Sequence, residues 1–153
     1  MEKPRAIICD LDGTLYDSRE RQARCFPPGE KRDFDRWNRE ALTDAPNLWC
    51  AELVHAMRSI GAFPIFVSGR DAAYENDTAL WLKEFLNLNR EDYLLYMRPT
   101  GDYRRDTDLK QQIYEQQIRD NWDVRFCIDD RRCVVDRWRE MGLVCLQCAE
   151  GNY

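Results

Sequence analysis

The chain holds a single histidine, His55, among 153 residues, and no second ligand pair accompanies the Cys145–Cys148 spacing. A structural zinc site needs four nitrogen or sulfur ligands. The seven cysteines are therefore expected to be reduced thiols in apolar surroundings, as at Cys9, Cys127 and Cys145. No apolar run approaches the roughly 20 residues that span a bilayer. The opening Glu2–Arg5 leads into a run that breaks at Asp10, which is not the pattern of a secretory leader. These absences point to a cytoplasmic protein with no membrane partner. No GxxxxGKS/T loop occurs, so that route to a nucleotide cofactor is excluded. Internal repeats and low-complexity tracts are absent as well. Positive charge is in deficit, with 23 Lys+Arg against 28 Asp+Glu and a net charge of −5, so the whole-molecule field does not gather polyanions. Any basic contact must be local, and Arg104–Arg105 and Arg131–Arg132 are the local bunches.

What the chain does have is the composition of one folded domain over residues 1–153, with 44% hydrophobic residues and five tryptophans. Short apolar runs predict strands at 6–9, 65–67, 93–97, 125–128 and 143–148. Helical spacing between them predicts helices over 47–60, 72–86, 108–119 and 132–141. In the first of these, Trp49, Leu53, Met57 and Ile60 share a face, and Gly61 and Gly142 are expected helix stops. Alternating strands and helices, with strands apolar throughout, imply an α/β fold. The expected architecture is a Rossmann-like three-layer α/β/α domain around a mainly parallel five-stranded sheet. Residues 16–45 fit the pattern poorly. They are expected to form a small insertion, a minimal cap, after the first strand, with one short helix carrying Phe34, Trp37 and Ala41.

Ligands of parallel sheets bind beyond the carboxyl ends of the strands. Asp10 and Asp12, Ser68-Gly69-Arg70 and Asp129-Asp130 all fall at such ends. Like charges held close resist joint ionisation unless a cation neutralises them or one keeps its proton. Magnesium suits oxygen-only ligands that include one or two carboxylates, and no imidazole or thiolate is placed to favour a softer metal. An EF-hand loop starting at Asp10 would want glutamate where Arg21 stands, which excludes that reading. On an extended strand end, positions i and i+2 project to one side. Asp10 and Asp12 have the spacing for a nucleophile on phosphorus with an acid–base partner. A turn with Asp12-Gly13 as a cap is the structural alternative.

Taken together, Asp10-Leu11-Asp12-Gly13-Thr14, Ser68, Lys110 and Asp129-Asp130 resemble the four motifs of the haloacid dehalogenase superfamily of phosphatases. The stretches "VSGR", "GDYRRDTDLK" and "IDDRRCVVDRWREMGLVCLQCAEGNY" further resemble the 3'-phosphatase domain of bacteriophage polynucleotide kinase/phosphatases, everywhere except 16–45. The resemblance implies that Asp10 is the nucleophile and Asp12 the general acid and base. Magnesium would be held by Asp10, the backbone carbonyl of Asp12, Asp129 and Asp130. Ser68 and Lys110 would bind the transferring phosphoryl group, with Arg70 and Asp106 as further members, and Asp106 is expected to orient the Lys110 ammonium. Thr14, Gly69, Arg104, Arg105 and Arg131 are candidate substrate contacts. Any catalytic arginine of the insertion would be Arg19, Arg21 or Arg24, which the sequence leaves open. His55 is expected to be a packing or surface residue.

An insertion of this size would leave the crevice open to a polymer end. The expected activity is magnesium-dependent removal of 3'-phosphate from DNA or RNA ends, without 5'-kinase activity. A nucleotidase or small-ester phosphatase with the same chemistry is the alternative, and a noncatalytic nucleic-acid-binding module is the third.

Overall fold

The computed structural model describes residues 1–153. Five strands, β1 (Arg5–Cys9), β2 (Phe63–Asp71), β3 (Leu94–Arg98), β4 (Asp123–Asp129) and β5 (Cys145–Gln147), form one sheet. Their order is β3-β2-β1-β4-β5 and every pairing is parallel. The helices are α1 (Arg19–Cys25), α2 (Phe34–Arg39), α3 (Leu48–Ser59), α4 (Glu75–Leu86), α5 (Asp106–Ile113) and α6 (Arg132–Glu140). None is long and apolar enough to cross a membrane.

The strand period of two sorts β1 between two helical layers. Ile7 and Cys9 face α3 and α4, where they meet Cys50, Val54, Trp81 and Leu82. Ala6 and Ile8 face the other way, toward Val134, Val135 and Trp138 of α6. Both faces of the sheet are thus covered, which is why the central strand β1 is apolar and buried at every position from Ala6 to Cys9. This is the three-layer α/β/α architecture that the alternation of elements implies.

Several boundaries differ from expectation. Strand β2 runs on through Ser68, Gly69 and Arg70 to Asp71 instead of stopping at Val67, and its register with β3 breaks between Val67 and Asp71. Strand β5 is shorter than 143–148 because only Cys145–Gln147 pair with β4 at the sheet edge. Helix α5 begins at Asp106, and its continuation over Tyr114–Ile118 is a π turn. On α3 the buried residues are Cys50, Ala51 and Val54, whereas Trp49 and Ile60 are exposed. The helix lies close enough to the sheet that small side chains fill the contact; Cys50 Sγ is 3.7 Å from Cys9 Sγ. Gly61 and Gly142 follow α3 and α6 at positive φ, as their positions suggest. No cysteine is disulfide-bonded, and all but Cys133 are buried or partly buried. His55 is exposed on α3.

Residues 16–45 carry two helices where one was expected. Helix α1 escapes periodicity because the residues it buries are Arg21 and Cys25, so its inward face is largely polar. Helix α2 ends at Arg39, Ala41 belongs to a separate short turn, and Phe34 is exposed.

Candidate active site

The carboxyl ends of β1, β2 and β4 converge on one cavity of about 1000 Å³, whose wall also takes in Ser18, Phe26, Trp37 and Asn38 from residues 16–45. At its floor, one carboxylate oxygen each from Asp10, Asp129 and Asp130 lies within 4.8 Å of the others, and all three residues are buried. Adjacent parallel strands make this possible: Cys9 pairs with Ile128, so the residues that follow leave the sheet side by side.

Three buried acids need counter-charge. Lys110 of α5 provides part of it, with Nζ donating to Asp10 Oδ1 at 3.0 Å and to Asp129 Oδ2 at 2.9 Å. Asp129 also accepts from the Arg131 backbone N–H at 3.2 Å. Thr14 Oγ1 lies 3.2 Å from both Asp10 Oδ2 and Asp130 Oδ1, and the Tyr153 hydroxyl donates to Asp130. Burial and the neighbouring Asp129 nevertheless push the Asp10 carboxyl well above its ordinary range, against the pull of Lys110. Burial raises Asp129 as well. Desolvation would lower the Lys110 ammonium, but Asp10 and Asp129 outweigh it and the pKa is raised. One lysine against three carboxylates leaves the cluster short of positive charge. The donor set is all oxygen, which suits a hard divalent cation such as magnesium.

The turn of Asp12-Gly13-Thr14 is shaped by this crowding. Gly13 has φ +81°, and a Cβ there would run into the Asp130 carboxylate. A side chain at Gly69 would likewise collide with Asp106.

Asp12 faces a different environment from Asp10. Its Oδ1 accepts from Arg21 Nη2 and, at 2.6 Å, from Arg70 Nη2. Burial alone would raise its pKa, yet the two guanidiniums hold it at about 2. Arg70 also donates to Thr78 Oγ1 at 2.9 Å, and its backbone N–H donates to Ser68 Oγ at 3.1 Å. Arg21 is fully buried; it donates to Asp44 Oδ2 at 3.0 Å and to the Trp37 carbonyl at 2.7 Å, and its guanidinium lies 3.8 Å from the Trp37 ring centroid. Among Arg19, Arg21 and Arg24, only Arg21 reaches the site. Arg19 pairs with Asp17 and Arg24 with Glu40.

Asp10, Asp12, Ser68, Gly69, Arg70, Asp106, Lys110, Asp129 and Asp130 all line the cavity, as do Arg104, Arg105 and Arg131. Two positions differ from the sequence expectation. Thr14 is fully buried behind Asp10 and Asp130 instead of facing a substrate. Asp106 does not hydrogen-bond Lys110. It accepts from Arg98 and from Arg131 Nη1 at 2.9 Å, so it braces the cavity wall while Asp10 and Asp129 orient the lysine. Of the four arginines in the local basic bunches, Arg104 pairs with Asp102, Arg105 with Asp108 and Arg131 with Asp106, whereas Arg132 makes no ion pair and lies outside the cavity wall. Arg98, Tyr153 and Asp44 were missed. Arg98 ends β3 and could have been flagged by the same strand-end rule as Asp10; nothing local in the sequence marks the other two.

A parallel three-layer fold with an Asp-x-Asp turn at the end of its central strand, a lysine against it and an acidic pair on the next strand defines a phosphatase domain of the haloacid dehalogenase type. Within that class, the family described as the polynucleotide kinase PNKP phosphatase domain matches residues 4–153, and the chain belongs to that family. A protein of Autographa californica nuclear polyhedrosis virus, named "Putative bifunctional polynucleotide kinase/RNA ligase", is 32% identical over 138 residues, covering 90% of this chain and 18% of the viral protein. A chain of the Pnkp1/Rnl/Hen1 RNA repair complex superposes with a TM-score of 0.81 at 33% identity, over 99% of this chain and 44% of that one. This chain therefore spans less than half the length of either. A class C acid phosphatase from Bacillus anthracis shares the fold, with a TM-score of 0.69 and 18% identity over 100% of this chain and 69% of that one.

Proposed function

We propose that this domain removes 3'-phosphate groups from DNA or RNA ends through an aspartyl-phosphate on Asp10, with magnesium as cofactor. The observation that carries the reading is the meeting of Asp10, Asp129 and Asp130 within 4.8 Å beside a buried lysine, in a chain of the polynucleotide kinase phosphatase family. Asp10, Asp129 and Asp130, with the backbone carbonyl of Asp12, would hold the metal, which supplies the positive charge this cluster lacks.

An oxygen of Asp10 attacks phosphorus and the ester oxygen departs with a proton from Asp12. Water then attacks the acyl phosphate and returns its proton to Asp12. Ser68, Lys110 and Arg70 bind the phosphoryl oxygens, where positioned donors act on charge in transit. The Asp12–Arg70–Arg21 cluster gives this cycle a trigger. At rest the two arginines keep Asp12 ionised. A phosphate that recruits an arginine weakens that hold and lets Asp12 take up, from solvent water, the proton it then gives to the departing ester oxygen. Residues 16–45 act as a minimal cap, because α1 delivers Arg21 to Asp12 from outside the sheet.

Phosphate release from oligonucleotides bearing 3'-phosphate, from ones bearing 5'-phosphate and from nucleoside monophosphates, each with magnesium, tests the proposal. Preference for the 3'-phosphate oligonucleotide is expected. Preference for mononucleotides would replace the reading with a nucleotidase, and no release from any of them would leave a noncatalytic binding module.

A further inference from the structure

The cavity wall has an unusual apolar composition: apart from Cys133, every hydrophobic side chain on it is an aromatic ring. Three of these rings form a ladder that leads away from the reacting groups. Arg21, which donates to Asp12, lies against Trp37. The Trp37 ring stacks on Phe26, with centroids 4.7 Å apart and planes at 26°. Phe26 then meets Phe34 with centroids 5.0 Å apart, and Arg32 lies 5.4 Å from the Phe26 centroid. The inner rungs are occupied by their neighbours. Phe34, the outermost, is 57% exposed.

Phe34 meets Phe26 but belongs to neither core cluster, so its exposed face at the rim of a polar cavity is not accounted for by burial in the fold. The acidic side chains of the wall outnumber its cationic ones by two, so with the proposed divalent cation in place the wall is close to neutral and offers a polyanion little net attraction. Contacts other than net charge then matter for holding the chain that carries the phosphate. Flat aromatic faces offer stacking to any nucleobase, and an arginine beside them adds cation–π attraction.

We infer that Phe34, backed by Phe26 and Trp37, is a stacking platform for the terminal nucleobase of the polynucleotide whose 3'-phosphate enters at Asp10. The inference rests on the 3'-phosphatase reading above and deepens it. It requires the last nucleotide to be unpaired, because a base within a duplex has no free face to offer. It also predicts tolerance of all four bases, since stacking reads a ring and not its edges. Trp37 carries a second duty, because its ring and carbonyl hold the arginine that grips Asp12, so it is not the residue to alter in a clean test.

The experiment compares two single-stranded oligonucleotides that end in 3'-phosphate, one with a normal terminal base and one abasic at that nucleotide. Wild-type enzyme should favour the base-bearing end in kcat/KM by roughly 5- to 10-fold, the lower part of the range for one base on one ring. Phe34→Ala should shrink that preference toward one, and Phe34→Trp should keep it. Because Phe34 is exposed, the alanine variant should fold, which circular dichroism verifies. A preference unchanged in Phe34→Ala, or absent in the wild type while 3'-phosphate is still released, overturns the platform and leaves the 3'-phosphatase reading intact. Release from mononucleotides alone overturns both, so the two failures are distinguishable.

Discussion

Lys110 Nζ stands 3.0 Å from Asp10 Oδ1 although the two residues are 100 apart in sequence, and the same ammonium reaches Asp129 at 2.9 Å. A single cation from α5 thus ties the end of β1 to the end of β4. Without it, three buried carboxylates would face one another with no counter-charge. Lys110→Met should therefore destabilise the metal-free protein by roughly 3–5 kcal/mol, the usual effect of removing one partner of a buried pair. Magnesium should recover part of that loss. On the proposed mechanism turnover should drop by roughly 10²–10³ even with magnesium, because Lys110 would no longer donate to the transferring phosphoryl group. Urea unfolding with chelator and with magnesium, beside phosphate release, measures both effects. Equal stability of variant and wild type in chelator would show that the ion pair does not offset the crowding of acids.

Asp10→Asn separates chemistry from stability. An amide cannot take up phosphorus, so turnover should vanish. Burial and Asp129 disfavour the Asp10 anion, so the neutral side chain should leave the metal-free fold at least as stable as the wild type. A site tuned for function commonly costs stability in this way. The rise in Tm on adding magnesium, which reports binding to the folded state, should be smaller in the variant. Thermal melts with and without magnesium check both points, and retained turnover would mean that the nucleophile lies elsewhere.

The strand ends announced most of this floor in advance. Asp10, Asp129 and Ser68 follow apolar runs, and period-two burial with a parallel sheet places such positions on one edge. The helix faces were less legible. Trp49 and Ile60 are large and apolar, but the close approach of α3 to the sheet selects Cys50, Ala51 and Val54 instead. Helix α1 was invisible for a related reason. The larger of the two side chains it buries is Arg21, and burial of a charge depends on partners from distant segments, here Asp12 and Asp44, that no local pattern reveals.

Arg21 is accordingly the insertion residue to test. It is fully buried, and its guanidinium contacts two carboxylates and the Trp37 carbonyl. Arg21→Ala leaves Asp44 buried without its cation and should cost about 3–5 kcal/mol. Arg21→Lys keeps the charge but not the planar fork that spans both acids. It should fold better than the alanine variant while turnover falls by about 10²-fold. Unfolding midpoints and phosphate release for the pair separate the structural contribution from the catalytic one. Full turnover in Arg21→Lys would show that only charge matters there.

Asp10 and Asp12 should give the metal-free protein opposing responses to pH. The folded-state pKa of Asp10 is raised, so its contribution to stability is present below the ordinary carboxylate range and is lost as pH rises through the raised value. Asp12 is held at about 2, so its contribution is present above the ordinary value and lost as pH falls through about 2. The protein in chelator should gain stability on mild acidification from neutrality and lose it again on strong acidification. Denaturant midpoints across pH measure the curve. Asp10→Asn should flatten the neutral-side gain, and Asp12→Asn should weaken the acid-side loss. A monotonic wild-type curve that neither variant alters would contradict the opposing environments.

Salt dependence tests how a chain end is held. Each phosphate neutralised on a single strand contributes a slope of about −0.7 to log affinity against log salt. Arg104, Arg105 and Arg131 could in principle provide several such contacts. In the structure they are engaged with Asp102, Asp108 and Asp106, and the cavity wall carries more acidic than cationic side chains. A phosphate that recruits one of them must displace a carboxylate already in place, which cancels much of the gain. The slope for kcat/KM on a single-stranded 3'-phosphate oligonucleotide should therefore stay shallow, on the order of one to two phosphates' worth. Arg105→Ala should change it most among the three, because its side chain is 79% exposed and its partner Asp108 also pairs with Arg137. A steep slope that Arg104→Ala and Arg105→Ala reduce in equal steps would instead identify a basic track along the 99–106 loop, with electrostatics and not stacking as the main source of affinity.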